Sequence, residues 1–314
     1  MKNKPQFYAM RNKGALSTAS ALLILVFHLW VGSAGVIRQI GFIGVDIFFF
    51  LSGYALGRPQ VYRDFIKNRF TNIYLKFFIF SLIAAVISHW QPLYWLQVIS
   101  GYNLLAKGGG AFLWFLPAIM LFYLIMPLYK HAAERRPAAA LLIAAAIWLA
   151  GAFICNNIPQ TAIFWLRIPI YLLGYHYARF CQSGRGLSLN GQIAAGVGLT
   201  SLGVVLANCF CLQRKLQFPF TDSFYLAAIP LILGVILLLD LLPKSKITDI
   251  IGRASLEIYA VQMIFGYKLT GWLLNTTDNL LAVNLIGMAL IICLSVAVNQ
   301  AWAVISRRAA AGKT

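Results

Sequence analysis

Carboxylates are scarce in this sequence: eight Asp and Glu stand against 26 Lys and Arg in 314 residues. Charge of either sign is thin, 11% of residues where a soluble domain carries about 25%. With 61% apolar residues and a mean hydropathy of +0.77, that excludes an ordinary water-soluble globule. Long polar stretches are missing too. The longest, around residues 90–111, has room for a loop with a re-entrant segment at most, so 1–314 is expected to form a single integral-membrane domain with no soluble C-terminal domain. Zinc-type cysteine spacing is absent: Cys155, Cys181, Cys209, Cys211 and Cys293 fall in apolar segments, where small buried hydrophobes are the expected role and no metal is expected. No internal repeat is visible, so the inverted-repeat signature of many transporters is lacking.

What is present is a series of apolar runs of about 17–25 residues, the length that crosses a bilayer as a helix. Ten can be counted, near 15–32, 41–57, 70–89, 112–129, 138–155, 163–180, 191–211, 224–242, 253–273 and 280–304. The first follows a basic N-terminus and is longer than a secretory h-region, so it is expected to be a retained helix. The expected fold is an all-α, polytopic transmembrane helical bundle of about ten helices.

The net charge of +18 would point to nucleic acid in a soluble protein. Here the placement of the bases gives a different meaning. With the N-terminus cytoplasmic and sides alternating, nineteen of the 26 fall on cytoplasmic segments. Four (Arg38, Lys107, Arg214, Lys215) fall opposite, and Lys76, Arg167 and Lys268 lie inside helices. That is a positive-inside pattern with both termini cytoplasmic and no nucleic-acid partner.

Ionisable groups in hydrocarbon call for a functional reason and a partner. In LLILVFHLW, residues 22–30, His28 sits about one turn from the outer end of helix one. With helix two starting near residue 41, Asp46 comes to about the same depth, and a short loop makes the two helices antiparallel neighbours. A carboxylate on one ring nitrogen fixes the tautomer and leaves the other as a general base. A structural hydrogen bond between two helices uses the same two residues. On the cytoplasmic side, Arg58, Arg63, Lys67 and Arg69 precede Lys76, a set suited to an anionic ligand such as a phosphate. Lys76 can equally snorkel to the interface. Arg167, inside helix six beside Trp165 and Pro169, suits a developing oxyanion or a sugar hydroxyl, or pairs with Asp46. From Lys13 to His28 is roughly 22 Å of helix. A ligand serving both faces must be long, anionic at one end and reactive at the other, the shape of a coenzyme A thioester.

These residues also carry a recognisable pattern. LLILVFHLW, FIGVDIFFFLSGYAL, FIKNRFTNIY, WFLPAIMLFYLIMPL, RIPIYLLGYHYAR and IGRASLEIYAVQ occur in that order along nearly the whole chain. In this the sequence resembles integral-membrane acyltransferase family 3, bacterial enzymes that O-acylate surface polysaccharides and related acceptors. The resemblance implies ten helices in the inner membrane and an acyl group, acetyl above all, taken from a cytoplasmic acyl-CoA with no tightly bound cofactor. Its acceptor would be a hydroxyl of a surface glycan or a lipid-linked sugar. It matches His28 to the family's essential histidine and Arg69 to the first arginine of the helix-three motif. Acetyl-CoA would dock on Arg69, Lys67 and Lys76. His28, oriented by Asp46, would deprotonate the acceptor, with Arg167 as a third catalytic candidate. The chain departs from the family pattern at Ser17 and Asn72, where arginines are usual, at Leu75, where a proline is, and at Gln262, often a histidine. The different-class alternative is a proton-coupled transporter or flippase with His28 and Asp46 as a proton relay.

Overall fold

The computed structural model describes residues 10–32, 35–58, 61–154, 159–183, 187–208 and 224–311. Of the residues singled out above, Cys155, Cys209, Cys211, Arg214 and Lys215 lie outside these. The helices in chain order are α1 (Lys13–Leu29), α2 (Gly35–Gly57), α3 (Tyr62–Arg69), α4 (Leu75–Ile87), α5 (Pro92–Ile99), α6 (Tyr102–Lys107), α7 (Phe115–Arg135) and α8 (Pro137–Ile154). They continue as α9 (Ala162–Trp165), α10 (Ile168–Gln182), α11 (Leu189–Ala207), α12 (Phe224–Leu239), α13 (Lys246–Arg253), α14 (Ser255–Leu274) and α15 (Leu280–Ala311). No strand occurs among the described residues. Each of the ten apolar runs overlaps helix among the described residues, though the sixth is split between α9 and α10.

Four stretches are long and apolar enough by themselves to cross a membrane: Tyr62–Ile87, Phe115–Arg135, Leu189–Ala207 and Leu280–Arg308. The others are shortened or interrupted by polar residues. α1 and the 43–57 part of α2 are under 18 residues, while α14 carries Glu257, Gln262 and Lys268. Residues 90–111, expected as a loop with a re-entrant segment at most, hold α5 and α6, two short helices ending in a turn at Gly108–Gly110. Exposed leucines such as Leu124, Leu128, Leu142, Leu285 and Leu290 clothe the long helices in apolar surface. In a membrane that surface meets lipid.

The chain divides into two compact units, and it passes between them within α2 and within α12. One unit consists of Met10–Phe48 and Ile236–Thr314. Its centre is α1, which packs on α13, α14 and α15. Asn12 fixes the start of α1: its side chain caps Ala15 N at 3.0 Å and donates to Leu242 O at 2.9 Å, while its own N–H reaches Asp240 at 2.9 Å. Further along, Thr18 donates to Thr248 O at 2.7 Å. On another side α2 lies antiparallel to α1. A Cβ on Gly41 would stand 2.6 Å from Leu23 O, and one on Gly44 2.5 Å from Ser20 O, so only glycine permits the approach.

The second unit is Phe49–Val235. Here the last turns of α2 cross α10 backbone to backbone. A Cβ on Gly53 would collide with Tyr171 O, and one on Gly174 with Phe50 O. The pair Gly53 and Gly57, four apart, is the small-residue spacing that lets membrane helices touch. Gly174→Val should overpack this crossing, at a cost of about 1–3 kcal/mol, and lower the yield of monodisperse protein in detergent. Gly198→Val is the control, because nothing lies within 4 Å of that Cβ. Equal yields of the two variants by size-exclusion chromatography would refute the crossing.

Candidate active-site residues

His28 occupies the last turn of α1, half-buried, in the first unit. Its Nδ1 lies 3.0 Å from the carbonyl oxygen of Ile24, one turn back. A carbonyl only accepts, so Nδ1 carries the proton and, in the neutral ring, Nε2 presents its lone pair. The amide of Gln262, on α14, faces the same nitrogen at 3.4 Å. One turn further along α14, Gly266 packs on Leu29, where a Cβ would stand 2.5 Å from the leucine side chain. Beyond the end of α1, the buried Asn284 side chain accepts from Val31 N at 2.8 Å and donates to Val31 O at 3.1 Å. Two helices, α14 and α15, thus hold the segment that carries the imidazole.

Asp46 is buried in α2, 2% exposed, but not level with His28. α2 begins at Gly35, six residues before the expected start, and the contacts of Gly41 with Leu23 and of Gly44 with Ser20 set the register. Asp46 therefore lies near the turn of Ser20, on the order of 12 Å along the axis from His28. These contacts place Asp46 deeper along α1 than the matched depth expected, while His28 Nδ1 meets Ile24 O with the Gln262 amide beside it.

In the second unit, Arg69 closes α3 with its guanidinium 5.0 Å from the Phe65 ring and 5.7 Å from the Tyr123 ring. The ring faces attract the cation. Lys67 does not join it. Two residues away, it points about 200° round the helix and is exposed. Between α3 and α4 the backbone makes a π turn, Phe70–Tyr74, where Thr71 and Asn72 each donate at 2.9 Å to the carbonyls of Lys67 and Asn68. Lys76 follows this turn, half-buried.

Arg167 is 1% exposed. The expected helix six is broken at this point, with α9 ending at Trp165 and α10 starting at Ile168. Its Nη1 donates to Ile163 O, and its guanidinium lies 5.2 Å from the Trp114 ring and 6.0 Å from Phe49. Trp165, expected as its neighbour, instead donates to Trp148 O at 3.0 Å. Trp114 follows Leu113, a fully buried leucine at φ 49°. A left-handed leucine costs roughly 1–2 kcal/mol, and such strain gathers at functional positions.

The sequence profile described as an acyltransferase domain, that of acyltransferase family 3, matches residues 15–299. The chain belongs to acyltransferase family 3. No curated protein and no solved structure matches it. Family membership and the four spanning stretches make it a membrane acyltransferase.

Within this acyltransferase the departures from the family pattern have a structural setting. Ser17 is buried and faces α13, where a Cβ on Gly252 would come within 3.3 Å of its own Cβ. Asn72 is exposed and turned back onto its own helix. Gln262 meets the imidazole. Sequence reasoning recorded Gln262 only as a departure and missed Trp114 and Phe49 around Arg167. It also missed a hydrogen bond of 2.6 Å between Tyr129 and His176 Nε2, which joins α7 to α10.

Proposed function

We propose that the protein transfers an acyl group, acetyl being the expected one, from coenzyme A to a hydroxyl of a surface glycan or its lipid-linked precursor. It would do so in a bacterial inner membrane, with ten crossings and both termini cytoplasmic. The observation that supports this reading is the Nδ1 contact of His28 with Ile24 O, which favours the tautomer whose basic lone pair is on Nε2. In the reaction Nε2 takes the proton of the acceptor hydroxyl while its oxygen bonds to the acyl carbon. The carbon–sulfur bond then breaks, and the coenzyme A thiolate recovers the proton from the imidazolium. Arg69 is the proposed phosphate contact, its guanidinium held over the Phe65 and Tyr123 rings. Lys76 would add charge beside it, and the exposed Lys67 would attract the donor at longer range. Arg167 is proposed for the developing oxyanion or a sugar hydroxyl, because a buried guanidinium acts strongly on charge that develops nearby.

The topology is checked with reporter fusions. Fusions after residues 63, 135, 185, 246 and 310 are expected to report cytoplasm, and those near 107 and 215 the opposite face, as the nineteen-to-four division of bases requires. Two or more reversed sites would refute the ten-crossing arrangement. The activity is checked by supplying purified protein with acetyl-CoA and membrane glycolipid. Thiol release that depends on the acceptor supports the reading, and its absence counts against it.

A further inference from the structure

Gln262 lies in the middle of α14 and is 2% exposed. One end of its carboxamide faces His28 Nδ1 at 3.4 Å, and the other end meets no hydrogen-bond partner among the described residues. A buried amide with one end idle is a poor device for stability. The group it touches is the imidazole. With its nitrogen toward the ring, the amide would set two donors against each other, because Ile24 O requires the proton on Nδ1. A half-turn of the carboxamide removes the conflict and brings Oε1 to face Nδ1–H. Gly266, one turn along the same helix face, lets α14 approach α1 closely enough for the contact.

We propose that Gln262 is a positioning residue for His28: its amide oxygen shares the Nδ1 proton with Ile24 O, holds the ring in one tautomer and so keeps the basic lone pair on Nε2. This rests on His28 being the general base. As the imidazolium forms, an acceptor already in place on Nδ1–H stabilises it without reorganisation. Gln262 would act on turnover and not on affinity, since it touches the base and not the donor.

Two measurements test this. The chain has only four histidines, so 15N-histidine spectra of the reconstituted wild type can be assigned by the signal that His28→Ala removes. Neutral His28 with Nδ1 protonated is expected, and protonation at Nε2 would overturn the proposal whether or not any variant folds. In kinetics, Gln262→Leu should lower kcat by roughly 10- to 100-fold, the range in which orienting partners of imidazole act at metal sites, with KM for acetyl-CoA unchanged. Gln262→Glu, which keeps an acceptor oxygen, should restore much of the loss. A Gln262→Leu protein with wild-type kcat overturns the proposal. So does one in which Gln262→Glu fares no better. These outcomes are separate from the fate of the base itself. An active His28→Ala enzyme would remove the general-base reading, while the wild-type spectrum would still report which nitrogen carries the proton.

Discussion

His28→Ala is expected to insert and accumulate like the wild type while losing acyl transfer by about 10²–10⁴-fold, the usual contribution of a general base. The expectation follows from where the side chain sits. The imidazole is half-buried at the end of α1, and Leu29, Gly14, Thr18 and the Asn12 cap make contacts that hold that helix without the ring. Truncation therefore removes chemistry and leaves the scaffold. Asp46→Asn should lose less, because its carboxylate lies two to three turns from the ring. Near-normal transfer by correctly inserted His28→Ala would refute the assignment.

The second large effect concerns the other unit. Arg69→Ala should weaken acetyl-CoA binding by roughly 10- to 150-fold, because a charged hydrogen bond to phosphate contributes about 1.5–3 kcal/mol and about 1.4 kcal/mol is tenfold. Lys67→Ala should change affinity far less, since Lys67 is exposed and turned away from the Phe65–Tyr123 faces that hold Arg69. His28→Ala should bind the donor nearly as well as wild type. Calorimetric titration of acetyl-CoA into the three proteins separates binding from turnover. Loss of the donor by His28→Ala with normal binding by Arg69→Ala would contradict the proposed polarity of the site.

Much of the fold is legible in the sequence because hydrocarbon leaves the backbone few options. Every run of apolar residues long enough to cross a bilayer must satisfy its own hydrogen bonds, and a helix does so. Helix ends are less legible. Arg38 and Gln39 interrupt the apolar run before Gly41, yet α2 starts at Gly35, since a helix can continue past the polar residues that end a hydropathy run. That six-residue difference is what separated Asp46 from His28. The position of Lys67 was open to a simple angular argument, because neighbours two apart never share a helix face. The break before Arg167 had only Pro169 as a sign, and the π turn after Arg69 had none. Gln262 is visible in the sequence as an unexpected residue; its contact with His28 depends on how α14 meets α1, which no local pattern encodes.

On the proposed function, the protein consumes a thioester to make an ester. This claim is tested most directly by reconstituting the wild type in proteoliposomes with acetyl-CoA labelled in the acetyl group, adding glycolipid acceptor, and following the label and the free thiol together. The account predicts base-labile label on the acceptor, released thiol in equal amount, and neither with His28→Ala. Intact acetyl-CoA alongside proton-coupled uptake or lipid translocation would contradict it and identify a transporter instead.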